Sequence, residues 1–280
     1  MEYIAAGSPG DVLAALADGD TAVLAGGQSL VLDVANREFR PGRVVDINRV
    51  PEFEILAEAG GMLRVGPLVR HRTFETYAAG GALGALLRTI VQHIGHPPIR
   101  ARGTMTGSLA YAHPAAEWPV VATVLGAEID LQSRRGRRTV TGEQFFTGPF
   151  TTVRRPDELL AEVRLPLLPA GTGAGFAEHR PARAKYAETA AMAAVTLTGG
   201  VVTAAAVGLV NAATCPVRAR AAEKALLGSR FDDAAIRAAA EAAADLDANL
   251  SALPPGERPA KRKSVGVLTR RALTRAREGM

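Results

Sequence analysis

The 280-residue sequence is almost without cysteine, since Cys215 is the only one. A lone cysteine excludes an intramolecular disulfide and an iron–sulfur cluster ligated by this chain's own cysteines. It fits a reducing compartment, and Met1-Glu2-Tyr3-Ile4 has neither the basic start nor the apolar run of a signal peptide. We therefore expect the cytoplasm, with any iron–sulfur partner on another chain.

Aromatic residues are also scarce, at 5% of the sequence. The net charge of +5 makes nucleic acid a candidate partner. The basic residues crowd the C-terminus without interleaved aromatics on which bases could stack. Val265, Leu268 and Leu273 recur among them at near-helical intervals. This pattern predicts a terminal amphipathic helix with a solvated basic face, and we expect no nucleic-acid partner.

Long uninterrupted apolar runs are missing too. Residues 189–217 carry no charge and have the length of a membrane span, but Gly199-Gly200 divides them into two runs of strand length. A β-hairpin is the better interpretation, so we expect no membrane segment. The five histidines are scattered and have few neighbouring carboxylates, which argues against a metal site.

Two loops rich in small and hydroxyl-bearing residues are the features that indicate a ligand site. Glycine lets a backbone approach phosphate oxygens closely, and Ser and Thr hydroxyls add donors. A glycine pair alone is more often an ordinary turn, but a second such loop before a predicted helix favours a diphosphate site. The first loop, after a short strand, is Ala25, Gly26, Gly27, Gln28, Ser29 and Leu30; the second, in residues 103–118, contributes Thr104, Thr106, Gly107 and Ser108.

Further strings follow in a characteristic order, at residues 45–48 (Val-Asp-Ile-Asn), 99–104, 145–152 and 156–160. Together with the two loops, they resemble the FAD-binding medium subunit of molybdenum hydroxylases, the group of carbon monoxide dehydrogenase and xanthine dehydrogenase. The resemblance covers nearly the whole chain. It implies the vanillyl-alcohol-oxidase-like α/β (α+β) fold, with FAD between an N-terminal subdomain (1–55) and a second subdomain (56–168). A C-terminal α/β domain (169–280) would carry a three-stranded sheet plus helices.

The resemblance also implies roles for the site residues. The two loops would wrap the diphosphate and ribityl chain of FAD, Glu117 would bind a sugar hydroxyl, and Tyr186 would lie close to the isoalloxazine ring. From the residues alone, the preferred interpretation of Glu117 is an exposed carboxylate in the first turn of a helix. Tyr186 is equally a core residue whose hydroxyl group reaches water. No catalytic residue is assigned.

A FAD-dependent oxidoreductase, or its FAD subunit, is the implied activity. Electrons from a molybdopterin large subunit would pass through an iron–sulfur small subunit to this chain's FAD. Thr106 and His113 replace a glycine and an aspartate of the family pattern, while Glu178 and Lys185 reverse two of its charges. Two alternatives therefore stay open: a stand-alone, homo-oligomeric biosynthetic flavoenzyme, and a non-redox cyclase or scaffold that keeps the FAD fold.

Overall fold

The structure, a computed structural model, describes residues 1–77, 80–182 and 185–280. The N-terminal part is a three-stranded parallel sheet in the order β1-β3-β2. The Ser8 side chain accepts a hydrogen bond from the Asp11 amide and starts the first helix with a capping box. The elements are β1 (Glu2–Ala5), α1 (Pro9–Ala17), β2 (Thr21–Leu24), α2 (Leu30–Ala35), β3 (Arg43–Asp46) and a 3₁₀ turn (Pro51–Phe53).

The middle part is a five-stranded antiparallel sheet in the order β4-β5-β10-β6-β7, covered by short helices. The helices bury Leu86, Leu87 and Ile90 against strand residues such as Val163 in one core. The elements are β4 (Leu56–Ala59), β5 (Met62–Val65), α3 (Thr73–Thr76), α4 (Gly81–Val91), α5 (Pro97–Arg102), α6 (Met105–Tyr111), α7 (Glu117–Val124), β6 (Glu128–Ser133), β7 (Gly136–Thr141), α8 (Gly142–Phe145), β8 (Phe146–Gly148), β9 (Thr151–Thr152) and β10 (Leu159–Pro166).

The opposite face of this sheet carries a ladder of ion pairs. Asp130 is almost fully buried and contacts Arg137 and Arg164, while Glu162 contacts Arg64 and Arg164. A buried carboxylate is tolerated only when it is paired and hydrogen-bonded, and these guanidinium groups meet both needs. The ladder therefore joins β5, β10, β6 and β7 across the sheet.

The C-terminal part is an antiparallel sheet in the order β11-β12-β13-β14, backed by helices. The three predicted strands are present, and a fourth strand of two residues joins them. The segment at residues 166–175, which contains prolines and glycines, leads into this sheet, and its last residues already pair in it. The elements are β11 (Thr172–His179), β12 (Thr189–Thr198), β13 (Val201–Val210), β14 (Val217–Arg218), α9 (Arg220–Leu226), α10 (Asp233–Ala242), a π-helical turn (Ala243–Asp247) and α11 (Arg258–Glu278).

Two predictions for this part are confirmed. Residues 189–217 form β12 and β13, joined at Gly199 and Gly200, which have φ of +59° and +78°. The basic terminal segment is α11, which buries Val265, Leu268 and Leu273. In the described part of the chain, no helix has the length and apolar character needed to cross a membrane.

Candidate FAD site

The first glycine loop leaves β2 and enters α2, as the sequence predicts. Gly27 has a φ of +75°, a backbone conformation that side chains with a Cβ rarely adopt. The Gln28 side chain donates to the Gly26 carbonyl at 3.4 Å, so it folds back onto its own loop. Ser29 makes no side-chain cap bond to the helix that it precedes. Its hydroxyl is therefore available to a ligand.

The second predicted loop is largely helical instead. Thr104 is the N-cap of α6, and its hydroxyl accepts a hydrogen bond from the Gly107 amide at 3.0 Å. Thr106, Gly107 and Ser108 lie in the first turns of that helix. The Thr106 hydroxyl donates to the Pro67 carbonyl at 3.1 Å. The hydroxyls of Thr104 and Thr106 therefore already serve the fold, as local side-chain bonds at helix starts commonly do.

The two segments touch through their backbones at Gly26. A Cβ built at this position would lie 2.3 Å from the Arg102 carbonyl oxygen and 2.7 Å from the Gly103 Cα. Real Cβ atoms essentially never come so close to backbone atoms. Glycine is thus required at position 26 for the segment at residues 25–30 to lie against the start of α6.

A polar clamp, formed by Asn48 and Arg70, holds this contact in place. The Asn48 side-chain amide donates to the Ala25 carbonyl at 2.9 Å, and its oxygen accepts from Arg70 at 2.5 Å. Arg70 also donates to the Arg102 carbonyl at 2.6 Å. The clamp therefore joins both segments and explains why the string at residues 45–48 ends in asparagine. Sequence reasoning noted that string but missed its link to Arg70.

We predict that Asn48→Ala weakens FAD binding about tenfold and lowers the free energy of unfolding by about 1–2 kcal/mol, because the partly buried Ala25 carbonyl and Arg70 each lose a hydrogen bond. Flavin titration and urea unfolding measure the two effects. Asn249→Ala, in an exposed loop, is the matched control, with an expected change within about 0.5 kcal/mol. Wild-type FAD affinity in Asn48→Ala would contradict the clamp's role.

The two segments open into a cleft of about 670 Å³. All twelve residues that the sequence predicts for the FAD site line it: ten from the two segments, together with Glu117 and Tyr186. Ligand sites in proteins span about 300–1,000 Å³, so the cleft has the capacity for a cofactor. Arg154 also lines the cleft and was not predicted. Its guanidinium is held by the Glu158 carbonyl at 2.7 Å and brings positive charge to the cleft wall.

His71 and Trp118 form a buried, hydrogen-bonded pair beside the second segment. The Trp118 indole donates to His71 Nδ1 at 3.0 Å, and burial, followed by the charges of Arg100 and Arg70, lowers the pKa of His71 to about 3. His71 is therefore neutral, and the hydrogen-bond network assigns its proton to Nε2. Trp118 is a core residue, and nothing in the sequence indicates its pairing with His71.

Glu117 is buried, so its interpretation as an exposed first-turn carboxylate is wrong. Its residue exposure is 5%, although it is the first residue of α7. Burial, and then the neighbouring Glu178, raise the pKa of Glu117 to about 8. Glu178 itself lies in β11 with its side chain almost fully enclosed. Of the two residues with reversed charge, only Lys185 is exposed, and it lines the cleft.

Tyr186 stands at the mouth of the cleft and is half exposed, so it is not a core residue. Its ring stacks on the His113 imidazole, with 3.6 Å between the centroids and 10° between the planes. Phe150 meets His113 edge-on at 5.1 Å and Tyr111 edge-on at 5.3 Å. Aromatic side chains thus form one rim of the cleft, and stacking explains how histidine fits at position 113.

Comparisons with known proteins agree with this geometry. Residues 1–168 match the model of the FAD binding domain in molybdopterin dehydrogenase, and residues 176–276 match that of the CO dehydrogenase flavoprotein C-terminal domain. The fold, the cleft and the match over residues 1–168 define a FAD-binding protein. The chain belongs to the FAD-binding subunits of the molybdopterin dehydrogenase family, and FAD is its cofactor.

Individual relatives show how far the similarity extends. The chain is 37% identical to the 6-hydroxypseudooxynicotine dehydrogenase complex subunit alpha of Paenarthrobacter nicotinovorans, over 87% of this chain and 83% of that protein. It is 30% identical to the carbon monoxide dehydrogenase medium chain of Hydrogenophaga pseudoflava, over 99% and 96%. Among solved structures, CO dehydrogenase from Oligotropha carboxidovorans superposes with a TM-score of 0.93 at 29% identity, covering 100% of this chain and 98% of that one.

Proposed function

We propose that this chain is the electron-transferring FAD subunit of a molybdenum hydroxylase complex, with the diphosphate of FAD held between residues 25–30 and the first turn of α6. The observation that carries the proposal is the backbone contact at Gly26, which forms one wall of the cleft and tolerates no side chain. When bound there, FAD would supply the electron-accepting and electron-donating chemistry. The protein's part is to hold and enclose it.

The remaining site residues have distinct proposed roles. Ser29 and Ser108 line the cleft, and their hydroxyls would donate to phosphate or ribityl oxygens. Glu117 would bind a sugar hydroxyl from the cleft wall, and Tyr186 would lie beside the isoalloxazine ring at the mouth. We also propose the three-part division at residues 1–55, 56–168 and 169–280.

The proposed partners are a molybdopterin large subunit and an iron–sulfur small subunit. The relatives support this proposal, since they are named as a subunit of a complex and as the medium chain of a dehydrogenase. This chain can supply no cysteine cluster of its own, because Cys215 is single. The same cysteine fits a reducing compartment, and we propose the cytoplasm.

Purification of the tagged chain from its native cells tests this function. We expect two further chains to copurify in equal amounts, with molybdenum and iron present and one noncovalent FAD per tagged chain. The FAD should appear in the supernatant after denaturation. A homo-oligomer that carries FAD but neither metal would instead support the stand-alone flavoenzyme. A protein whose flavin stays oxidised throughout turnover would support the non-redox alternative.

A further inference from the structure

A buried pair of carboxyl groups lies at the inner wall of the cleft. Glu117, at the start of α7, lines the cleft, whereas Glu178, on β11, is not among the described residues that line it. Glu178 lies close enough to Glu117 to raise the pKa of Glu117, by its charge and by contact between the two side chains. The Glu178 side chain is only 1% exposed. The pair therefore brings two acidic groups together away from water.

Glu178 has ionic neighbours, but none of the described residues donates a well-aligned hydrogen bond to its carboxyl group. Arg180 Nε lies 3.2 Å from one carboxyl oxygen, and His93 Nδ1 lies 3.6 Å from the other. Among the described residues, no conventional donor makes a hydrogen bond to either oxygen. Buried acceptors without a donor are uncommon because they lose their bonds to water. A proton on the Glu117 carboxyl would supply the missing donor.

We propose that Glu178 keeps Glu117 protonated, so that the pair holds a single proton and the cleft presents a neutral carboxylic acid to FAD. Two carboxylates in contact in a buried site cannot readily both be ionised. A neutral acid can donate to a sugar oxygen as well as accept from a sugar hydroxyl, and it places no negative charge near the diphosphate. The part of the inference that concerns FAD rests on the proposed function.

The groups around Glu117 shift its pKa in opposite directions. Burial and Glu178, on β11, raise its pKa to about 8, whereas the Arg180 charge lowers it. His93, after α4, contacts the far side of Glu178, and Tyr186 faces Glu117 from the cleft mouth. Because FAD favours the protonated form, its affinity should be complete below the raised pKa and fall as the pH rises through it.

Infrared spectroscopy of the full-length protein without FAD tests the shared proton directly. The difference spectrum between the parent and Glu117→Gln should show the carbonyl band of a protonated carboxyl, lost on raising the pH with a midpoint near 8. In Glu178→Gln this midpoint should fall by about one pH unit or more, because the second carboxyl is gone. Glu188→Gln, at an exposed site, is the matched control with an unchanged midpoint.

An absent band at pH 6, or an equal midpoint in the parent and Glu178→Gln, would overturn the inference. If Glu117→Gln does not fold, isotope-edited spectra of the parent labelled with ¹³C-glutamate give the same band. FAD titrations separate the proposal of a shared proton from the proposal that Glu117 binds FAD. The parent should lose about tenfold in affinity between pH 7 and 9, and Glu117→Gln should show no such loss. A titrating band with pH-independent affinity would retain the pair and contradict the placement of Glu117 at FAD.

Discussion

A Gly26→Ala protein is expected to be colourless after purification and to bind added FAD about 100-fold more weakly than the parent, a loss of ~2.7 kcal/mol. The added methyl group would lie 2.3 Å from the Arg102 carbonyl oxygen, so the two segments must separate. Overpacking of this kind costs about 1–3 kcal/mol, and here the displaced backbone is the wall of the cleft. Flavin fluorescence titration measures the change.

Gly256→Ala is the matched control, because nothing lies within 4 Å of a Cβ at that exposed turn. It should retain full FAD content. Gly27→Val should also strip FAD, although for a different reason: the φ of +75° disfavours a β-branched residue, and its Cβ would meet the Val31 and Leu24 side chains. Normal FAD affinity in Gly26→Ala would remove the contact between the two segments from the account.

Asp130→Ala should lower the free energy of unfolding by about 3 kcal/mol while leaving the FAD cleft chemically unchanged. Asp130 is 1% exposed, accepts from Thr139 at 2.6 Å and contacts Arg137 and Arg164. Removing it takes the carboxylate partner from Arg137 and one of three carboxylate partners from Arg164. Urea unfolding, monitored by circular dichroism, gives the value.

The same carboxylate predicts how stability changes with pH. Burial alone would raise the pKa of Asp130, but hydrogen bonds from Arg164 and Thr139 lower it overall. Its contribution is therefore complete above the unfolded pKa of about 3.9 and is lost as the pH falls through the lower, folded pKa. Glu143→Ala breaks the exposed pair with Arg220 and should cost under about 1 kcal/mol. Equal losses in the two variants would contradict the role of the ladder.

The first glycine segment could be predicted from the sequence because its information is local. A short apolar strand, two glycines and a hydroxyl residue describe β2, the turn at Gly27 and the start of α2 without reference to the rest of the chain. The hairpin at Gly199-Gly200 is similar, since two glycines at positive φ suit a tight turn between β12 and β13. The amphipathic pattern of α11 likewise needed only its own residues.

Features that depend on residues far apart in the sequence could not be predicted from local patterns. The segment after Gly103 was predicted as a loop because hydroxyl residues favour turns, yet Thr104 caps a helix there. The raised pKa of Glu117 depends on burial and on Glu178, which lies in β11 of the C-terminal sheet. The clamp of Asn48 and Arg70 joins residues 22 positions apart. Such pairings are set by tertiary packing, and a single sequence carries no local signal for them.

A crystal structure of the purified protein with FAD bound tests the central claim most directly. The account predicts electron density for the diphosphate between residues 25–30 and the first turn of α6, with the Gly26 backbone in contact and the isoalloxazine ring near Tyr186. Density for the diphosphate at any other surface, with the cleft between these two segments empty, would contradict it.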